Sequence, residues 1–305
     1  MVIITAKSHP FLIEALQKKG HETLYAPQIT YSELSEKIGD ATGLVVTTRL
    51  KIDQPLLEKA HKLKWIGRLG SGMELIDVDF AAKKNILCVS SPEGNRTAVA
   101  EQALGMLLNM MHNISKSSLE VQEGKWLREE NRGIELTGKV VGVIGYGNTG
   151  ESFSKLLGAF GVTVLAYDKF KYGFGKAHVK EASLEQICRY ADVISFHVPL
   201  TAETSYMADE FFFNSLANRP FIMNTSRGRI IKTGALIDAL KADKIRGAAL
   251  DVLENENLGS LSDTEQAQID FLTTHPAVLL TPHIAGYTYE AFYKMSTVLL
   301  EKLNL

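Results

Sequence analysis

Residues 139–168 read KVVGVIGYGNTGESFSKLLGAFGVTVLAYD, and this stretch decides the fold of the chain. Residues 140–144 form a short apolar run of the kind found in parallel strands buried on both faces. The run stops at Gly145-x-Gly147-x-x-Gly150, and a helical stretch follows to about residue 160. A second β-rich run, 162–167, ends on Asp168. Gly145 permits a tight strand-to-helix turn, Gly147 leaves no side chain where a pyrophosphate must approach, and Gly150 lets the helix lie close to the strand. The first-turn N–H groups of that helix then face the anion. Asp168, about 20 residues beyond the glycines, is placed to accept hydrogen bonds from a ribose diol. Three glycines alone are an ordinary turn. In the order strand, turn, helix, strand, acid they predict a dinucleotide site.

At 305 residues the chain is long for a single core, so two domains are expected. The apolar share of 45% and charged share of 22% are those of a globular protein. A net charge of −2 gives no basic footprint, so neither nucleic acid nor a membrane surface is expected as a partner. No apolar run is long enough to span a bilayer, and residues 2–4 are too short for a signal peptide, which makes a cytoplasmic location the expectation. Cys88 and Cys188 stand far apart among apolar neighbours without metal-ligand spacing. They read as reduced core thiols, and no metal is expected.

The first hundred residues alternate candidate strands at 2–6, 23–26, 44–48, 65–69 and 86–90 with helical stretches at 10–19, 32–39, 55–61 and 78–84. This rhythm predicts a parallel sheet separate from that of the fingerprint. Its glycine-rich turn, Gly70-Ser71-Gly72, follows a strand and can offer backbone N–H groups to a small anion, though such a turn is often only a turn. Residues 92–96 break the pattern, and a single long helix is expected over 97–123. Residues 124–137 are polar and irregular around Trp126, either an arm that docks on a second subunit or a loop folded back on its own domain. After Asp168, strands are expected at 193–197, 221–224, 247–252 and 278–281, and helices at 183–190, 233–242 and 289–303. Residues 254–275 read as an acidic surface loop.

In open parallel sheets, ligands bind beyond the carboxyl ends of the strands. Arg227 lies just past one of these strands, Asp251 and Glu256 past the next, and His283 past the last. Singly, each has an ordinary explanation: a surface ion pair, a solvated acid, a satisfied histidine. Together they share a chemistry. Taking hydride from a secondary alcohol requires loss of the hydroxyl proton, and His283 can be the base. Glu256 can hold its second ring nitrogen and favour the imidazolium. Arg227 can clamp a carboxylate and polarise the neighbouring carbonyl. An oxidoreductase for 2-hydroxy or 2-oxo acids is the economical reading.

The chain resembles the D-isomer-specific 2-hydroxyacid dehydrogenases over nearly all its length. The matching stretches are Leu63-Lys64-Trp65-Ile66-Gly67-Arg68, the Gly70–Gly72 turn, NRTAVAE from Asn95 to Glu101, the GYGNTG fingerprint, His197-Val198-Pro199-Leu200-Thr201, Asn224-Thr225-Ser226-Arg227-Gly228-Arg229, Ala249-Leu250-Asp251-Val252 and Thr281-Pro282-His283-Ile284-Ala285-Gly286. The resemblance implies an α/β protein of two parallel-sheet domains, Rossmann-like and flavodoxin-like. Residues 98–284, the NAD-binding domain, would be inserted into a substrate-binding domain made of 1–97 and 285–305. It implies that Arg227, Glu256 and His283 are catalytic. It also implies that NAD is held by Gly145, Gly147, Asn148, Thr149, Gly150, Asp168, His197, Val198, Pro199, Thr204, Thr225, Ser226, Arg227, Asp251, His283 and Gly286. Ser71, Gly72 and Asn95 match substrate-holding positions, alongside Arg227 and His283, and the arm around Trp126 matches the homodimer contact of relatives.

The likeness is greatest to short phosphoglycerate dehydrogenases of serine synthesis, with no regulatory domain expected after Leu305. A phosphorylated substrate needs a second set of cations, for which Arg49 and Arg68 are the candidates, with Lys51 and Arg96 near them. A glyoxylate or hydroxypyruvate reductase is the alternative, and an NADH-sensing corepressor a more distant one. Two departures stand out. Asn257 follows Glu256 where the family usually has proline, with Glu254 a nearby competitor, and Thr149 replaces a branched aliphatic residue.

Overall fold

A computed structural model describes residues 1–305 throughout. The chain begins β1 (Val2–Ile4), α1 (Pro10–Lys18), β2 (Thr23–Tyr25), α2 (Tyr31–Lys37), β3 (Gly43–Val46), α3 (Gln54–Lys59), β4 (Trp65–Arg68), α4 (Val78–Lys83) and β5 (Leu87–Ser90). It continues with α5 (Pro92–Met111), α6 (Ile114–Gln122), β6 (Val140–Ile144), α7 (Asn148–Leu157), β7 (Thr163–Tyr167), β8 (Val179–Glu181), α8 (Leu184–Tyr190) and β9 (Val193–Phe196). The last elements are α9 (Glu210–Asn214), β10 (Phe221–Asn224), α10 (Thr233–Lys241), β11 (Gly247–Leu250), α11 (Asp263–Thr274), β12 (Val278–Leu280) and α12 (Tyr289–Leu303).

Two compact units result: Met1–Ala98 with Gly286–Leu305, and Val99–Ala285. The first holds a five-stranded sheet in the order β2-β1-β3-β4-β5, parallel at every pairing, which is the flavodoxin-like order. Ile3, Leu44, Val46 and Ile66 fill one face, and Val2, Ile4 and Val45 pack on the other with Leu299 and Leu300 of α12. Covered on both faces, β1, β3 and β4 up to Gly67 are apolar without alternation, while the edge strands β2 and β5 are only partly buried.

The second unit holds a seven-stranded parallel sheet in the order β12-β11-β10-β9-β6-β7-β8. Counted from β6, this is the doubly wound order 3-2-1-4-5-6 with one strand added. The chain leaves β6 toward β7 and β8, then crosses back to β9 on the other side of β6. That reversal opens a crevice at the carboxyl ends of β6 and β9. Val141, Val143 and Met223 face one core, and Ile144, Ile194, Phe196 and Ile222 face the other.

Three expectations need correction. The helix expected over 97–123 is two, α5 and α6, and α5 begins at Pro92, where the missing N–H costs nothing. Asn113 interrupts them at φ +53, and Asn109 turns its amide to the Ser115 backbone and hydroxyl instead. The loop expected at 254–275 contains α11, which starts at a capping box between Ser262 and Glu265. The short elements β8 and α9 were not anticipated. Residues 124–133 remain irregular, with Trp126 77% exposed, and the chain rejoins the unit where the Ile134 N–H donates to the Met111 carbonyl.

Candidate active site

The glycine turn after β6 is built as its sequence requires. Gly145 lies at φ +97, and a Cβ there would come within 2.5 Å of the His197 carbonyl; one at Gly150 would come within 1.9 Å of the Gly145 carbonyl. At Gly147 a Cβ would meet nothing within 4 Å, so the space over the turn is open. Gly147 is the N-cap of α7 and supplies no side chain to its first turn, so the Asn148, Thr149 and Gly150 N–H groups precede the first intrahelical bond, Glu151 to Gly147. This is an anion-binding helix terminus.

Asp168 follows β7 and is held by backbone donors: Oδ2 accepts from the Tyr146 N–H at 2.9 Å, and Oδ1 from Phe170 and Lys171 at 2.9 and 3.1 Å. One lone pair of Oδ2 is left for a further donor. Lys169 is paired with Glu203 at 2.5 Å, and Lys171 donates to the Tyr146 carbonyl at 3.0 Å. The Thr225 hydroxyl, just past β10, is buried and has no partner in the chain. A buried orphan hydroxyl calls for a ligand or solvent donor or acceptor. The open glycine cradle, the capped acid and this hydroxyl all fit a dinucleotide. Thr204 instead closes a local turn, donating to the Pro199 carbonyl at 2.6 Å.

His197 follows β9 and is buried. Its Nε2 lies 2.9 Å from the Ser195 hydroxyl and its Nδ1 3.3 Å from that of Thr149, so the threonine that departs from the family pattern has a polar partner. Burial pushes the imidazole from 6.5 down to about 4. The unfolded chain therefore takes up a proton below about pH 6.5 that the folded chain refuses until about pH 4. Stability is complete above the upper value and falls as pH drops through the window, by up to about 3 kcal/mol at ~1.4 kcal/mol for each pH unit. The urea midpoint of the protein should decline more steeply from pH 6.5 to 4 than that of His197→Gln. Parallel profiles would rule out this histidine as the source.

Arg227, Glu256 and His283 all follow strands of the second sheet at their carboxyl ends. Arg227 extends from the end of β10 with backbone φ −141, and its Nη1 donates to the Ser226 carbonyl at 2.7 Å. His283 follows β12, and its Nδ1 lies 2.8 Å from Glu256 Oε2, both side chains being partly exposed at 39% and 44%. Nδ1 thus holds the carboxylate and Nε2 is left for a reactant. The competitor, Glu254, is engaged elsewhere. It accepts from the Thr233 N–H at 2.5 Å, at the start of α10, and from the Tyr206 hydroxyl at 2.8 Å. The pairing selects Glu256. Asp251 itself is buried and spent on the chain around His283. Val198, Pro199 and Ser226 lie at the same carboxyl ends, after β9 and β10.

In the first unit, Arg68 is 8% exposed and donates through Nε to the Gly72 carbonyl at 3.0 Å and through Nη1 to that of Leu69. It therefore threads the Gly70–Gly72 turn from within. Ser71 Oγ is 3.4 Å from Asn95 Oδ1, and Gly286 packs on the same asparagine, leaving no room for a Cβ. Arg49 donates through Nε and Nη2 to the carbonyls of Thr5 and Ile29, so much of its guanidinium braces the loops after β1 and β2. Lys51 and Arg96 are exposed. What the sequence missed is the bracing: nothing local marks Arg49 or Arg68 as bound to carbonyls rather than ready for a ligand.

Comparison with known proteins agrees with this geometry. Residues 104–285 match the family described as D-isomer specific 2-hydroxyacid dehydrogenase, NAD binding domain. A D-3-phosphoglycerate dehydrogenase of Methanocaldococcus jannaschii is 36% identical over 99% of this chain and 56% of its own. This chain spans little more than half the length of the curated relatives it matches. Among solved structures, the D-lactate dehydrogenase of Aquifex aeolicus complexed with NAD and lactic acid superimposes with a TM-score of 0.87, at 28% identity over 100% of this chain and 94% of that one. The NADPH-dependent glyoxylate/hydroxypyruvate reductase of Sinorhizobium meliloti, in complex with NADP and malonate, gives 0.81 at 25% identity over 99% and 92%. With its glycine cradle, its strand order and its matched residues, the chain belongs to the D-isomer-specific 2-hydroxyacid dehydrogenase family and carries that family's NAD-binding domain.

Proposed function

We propose that the protein is an NAD-dependent oxidoreductase acting between D-2-hydroxy acids and 2-oxo acids. The observation that carries this reading is the Glu256–His283 pair, 2.8 Å apart beyond the carboxyl ends of the sheet that also presents Arg227. When bound, the nicotinamide supplies or accepts the hydride. The chain's own residues do the rest. His283 Nε2 takes the hydroxyl proton in oxidation and returns it to the carbonyl oxygen in reduction. Glu256 holds Nδ1 and fixes which nitrogen faces the substrate. Arg227 binds the substrate carboxylate and orients the carbonyl. Ser71, Gly72 and Asn95 are the substrate-holding positions proposed for the first unit.

Asp168 would accept from the adenosine ribose hydroxyls and repel a 2′-phosphate. Lys169, tied to Glu203, is drawn away from offsetting that repulsion. NAD should be preferred over NADP by about a hundredfold in kcat/KM, since opposing like charges costs several kcal/mol unscreened and part of that here. Equal efficiency with both cofactors would remove the ribose role from Asp168.

Glu256→Gln should retain measurable turnover with kcat lowered by about tenfold, because the amide offers Nδ1 a neutral acceptor in place of the carboxylate 2.8 Å away and holds the ring less firmly. A kcat equal to wild type would break the link between the two residues.

The proposed physiological pair is 3-phosphoglycerate and 3-phosphohydroxypyruvate, of serine synthesis, in the cytoplasm. The similarity to phosphoglycerate dehydrogenases supports it. A second reading, glyoxylate or hydroxypyruvate reduction, is favoured by the bracing of Arg49 and Arg68 on backbone carbonyls, which leaves fewer of their donors for a phosphate. A panel of 2-oxo acids with NADH separates the two. Higher kcat/KM for 3-phosphohydroxypyruvate than for hydroxypyruvate, glyoxylate and pyruvate supports the first, and the reverse order supports the second. We also propose a homodimer formed through the 98–137 helices and arm, on the strength of the exposed Ile114, Leu119, Val121 and Trp126.

A further inference from the structure

Asn224 and Asp251 are each 1% exposed, and each is bonded to a loop that bears a group of the proposed mechanism. Asn224 is the last residue of β10. Its Oδ1 accepts from the Ser226 N–H at 3.0 Å and from the Ser226 hydroxyl at 2.7 Å, and its Nδ2 donates to the Arg227 carbonyl at 2.9 Å. Both halves of the amide are used, and they close the turn from which the Arg227 side chain departs.

Asp251 follows β11 and does the same for a loop some thirty residues later. Its Oδ1 accepts from the Thr281 hydroxyl and from the Ile284 N–H at 2.9 Å, and its Oδ2 from the Ala285 N–H at 2.8 Å. Its carbonyl accepts from the His283 N–H at 2.8 Å. Four donors between 281 and 285 thus converge on one residue, with His283 in their midst at φ +54. Residues with a Cβ visit that left-handed conformation seldom, histidine more readily than most, and the four donors hold His283 in it. The two anchors are themselves joined, because the Asp251 N–H donates to the Asn224 carbonyl at 2.9 Å.

The residue types fit their tasks. A loop whose N–H groups point inward needs a residue that only accepts, and an ionised aspartate does so at both oxygens. A turn that presents one donor pair and one carbonyl needs a residue that does both, which an asparagine can. Exchanging either type sets donor against donor or acceptor against acceptor in a buried place.

We propose that Asn224 and Asp251 are positioning residues: Asn224 sets the departure of Arg227, and Asp251, with Thr281, holds the imidazole of His283 on target. This rests on the mechanism proposed above for Arg227 and His283. It assigns Asp251 a task on the chain itself, beyond the cofactor contact that resemblance implies.

The test uses the full chain, NADH and 3-phosphohydroxypyruvate, with hydroxypyruvate as the second substrate, and the variants Asn224→Asp, Asp251→Asn, Thr281→Val, Thr281→Ser and His283→Ala. Thr281→Val deletes one hydroxyl and keeps the shape, so it serves even if the two anchor variants fold poorly. It should lower kcat by about tenfold, as expected for a slightly misplaced acid–base group, with NADH affinity close to wild type and a melting temperature lowered by no more than a few degrees. Thr281→Ser should restore most of the loss. Asn224→Asp should act chiefly on KM for the oxo acid, raising it about tenfold, because the carboxylate clamp is what shifts. Unchanged kcat in Thr281→Val would overturn the proposal, as would a loss of kcat that follows NADH affinity or is not rescued by serine. His283→Ala separates the two levels. If it is inactive while Thr281→Val is normal, only the anchoring fails, and if it turns over like wild type the mechanism itself falls.

Discussion

His283→Ala should lose about a thousandfold in kcat while NADH binds with nearly unchanged affinity. Positioned acid–base catalysis contributes roughly a hundredfold to ten-thousandfold, and in the proposed mechanism one group serves both directions. The dinucleotide cradle follows β6, whereas His283 follows β12 at the far edge of the same sheet, with β11, β10 and β9 in between. Removing the imidazole therefore leaves the glycine turn and Asp168 untouched. Stopped-flow fluorescence for NADH binding and steady-state turnover on the same preparation measure both quantities. Turnover within tenfold of wild type would mean that another group moves the proton.

Arg227→Gln should lower kcat/KM for the oxo acid by a hundredfold to a thousandfold. Charge-assisted hydrogen bonds are worth about 1.5–3 kcal/mol each, and a guanidinium can make two to one carboxylate. Arg227→Lys keeps the charge but loses the planar fork, and should fall between glutamine and wild type. The backbone here is extended, at φ −141 and ψ 139, so these substitutions introduce no local strain. A variant that loses affinity for NADH in the same proportion would place the arginine on the cofactor instead of the carboxylate.

These expectations rest on features of unequal legibility. The fingerprint could be read because its meaning is local: the strand, the turn glycines, the helix and the acid lie within one βαβ unit. The inner strands of both sheets are readable because, being covered on two faces, they are short unbroken apolar runs. The three-residue β8 and five-residue α9 carry too few residues for any period to register. The helix α11 was hidden by its polar composition, although the Ser262-x-x-Glu265 capping box was there to be seen. So was the break at Asn113, since asparagine is one of the few residues that tolerate a left-handed conformation.

The site divides in the same way. Arg227, Glu256 and His283 were recognisable as polar residues at strand ends. That Glu256 and not Glu254 meets His283 is a matter of side-chain direction, which the order of residues along the chain does not give. The tasks of Asn224, Asp251 and Thr281 were not legible, because the bonds from Asp251 reach residues 30 to 34 positions away. Arg49 and Arg68 show the opposite hazard. They look like ready cations, yet their guanidinium groups brace backbone carbonyls 44 and 20 residues away in one case and within four in the other.

The proposed mechanism requires direct hydride transfer to the carbonyl carbon of a 2-oxo acid, and isotopic labelling follows that hydride. NADH carrying deuterium at the transferring C4 position, turned over with 3-phosphohydroxypyruvate or the best oxo acid of the panel, should yield a D-2-hydroxy acid with one deuterium at C2. The same label should not reach the product of His283→Ala at a comparable rate. A wild-type protein that binds NADH but transfers no label to any 2-oxo acid, or that gives the L-hydroxy acid, would contradict it.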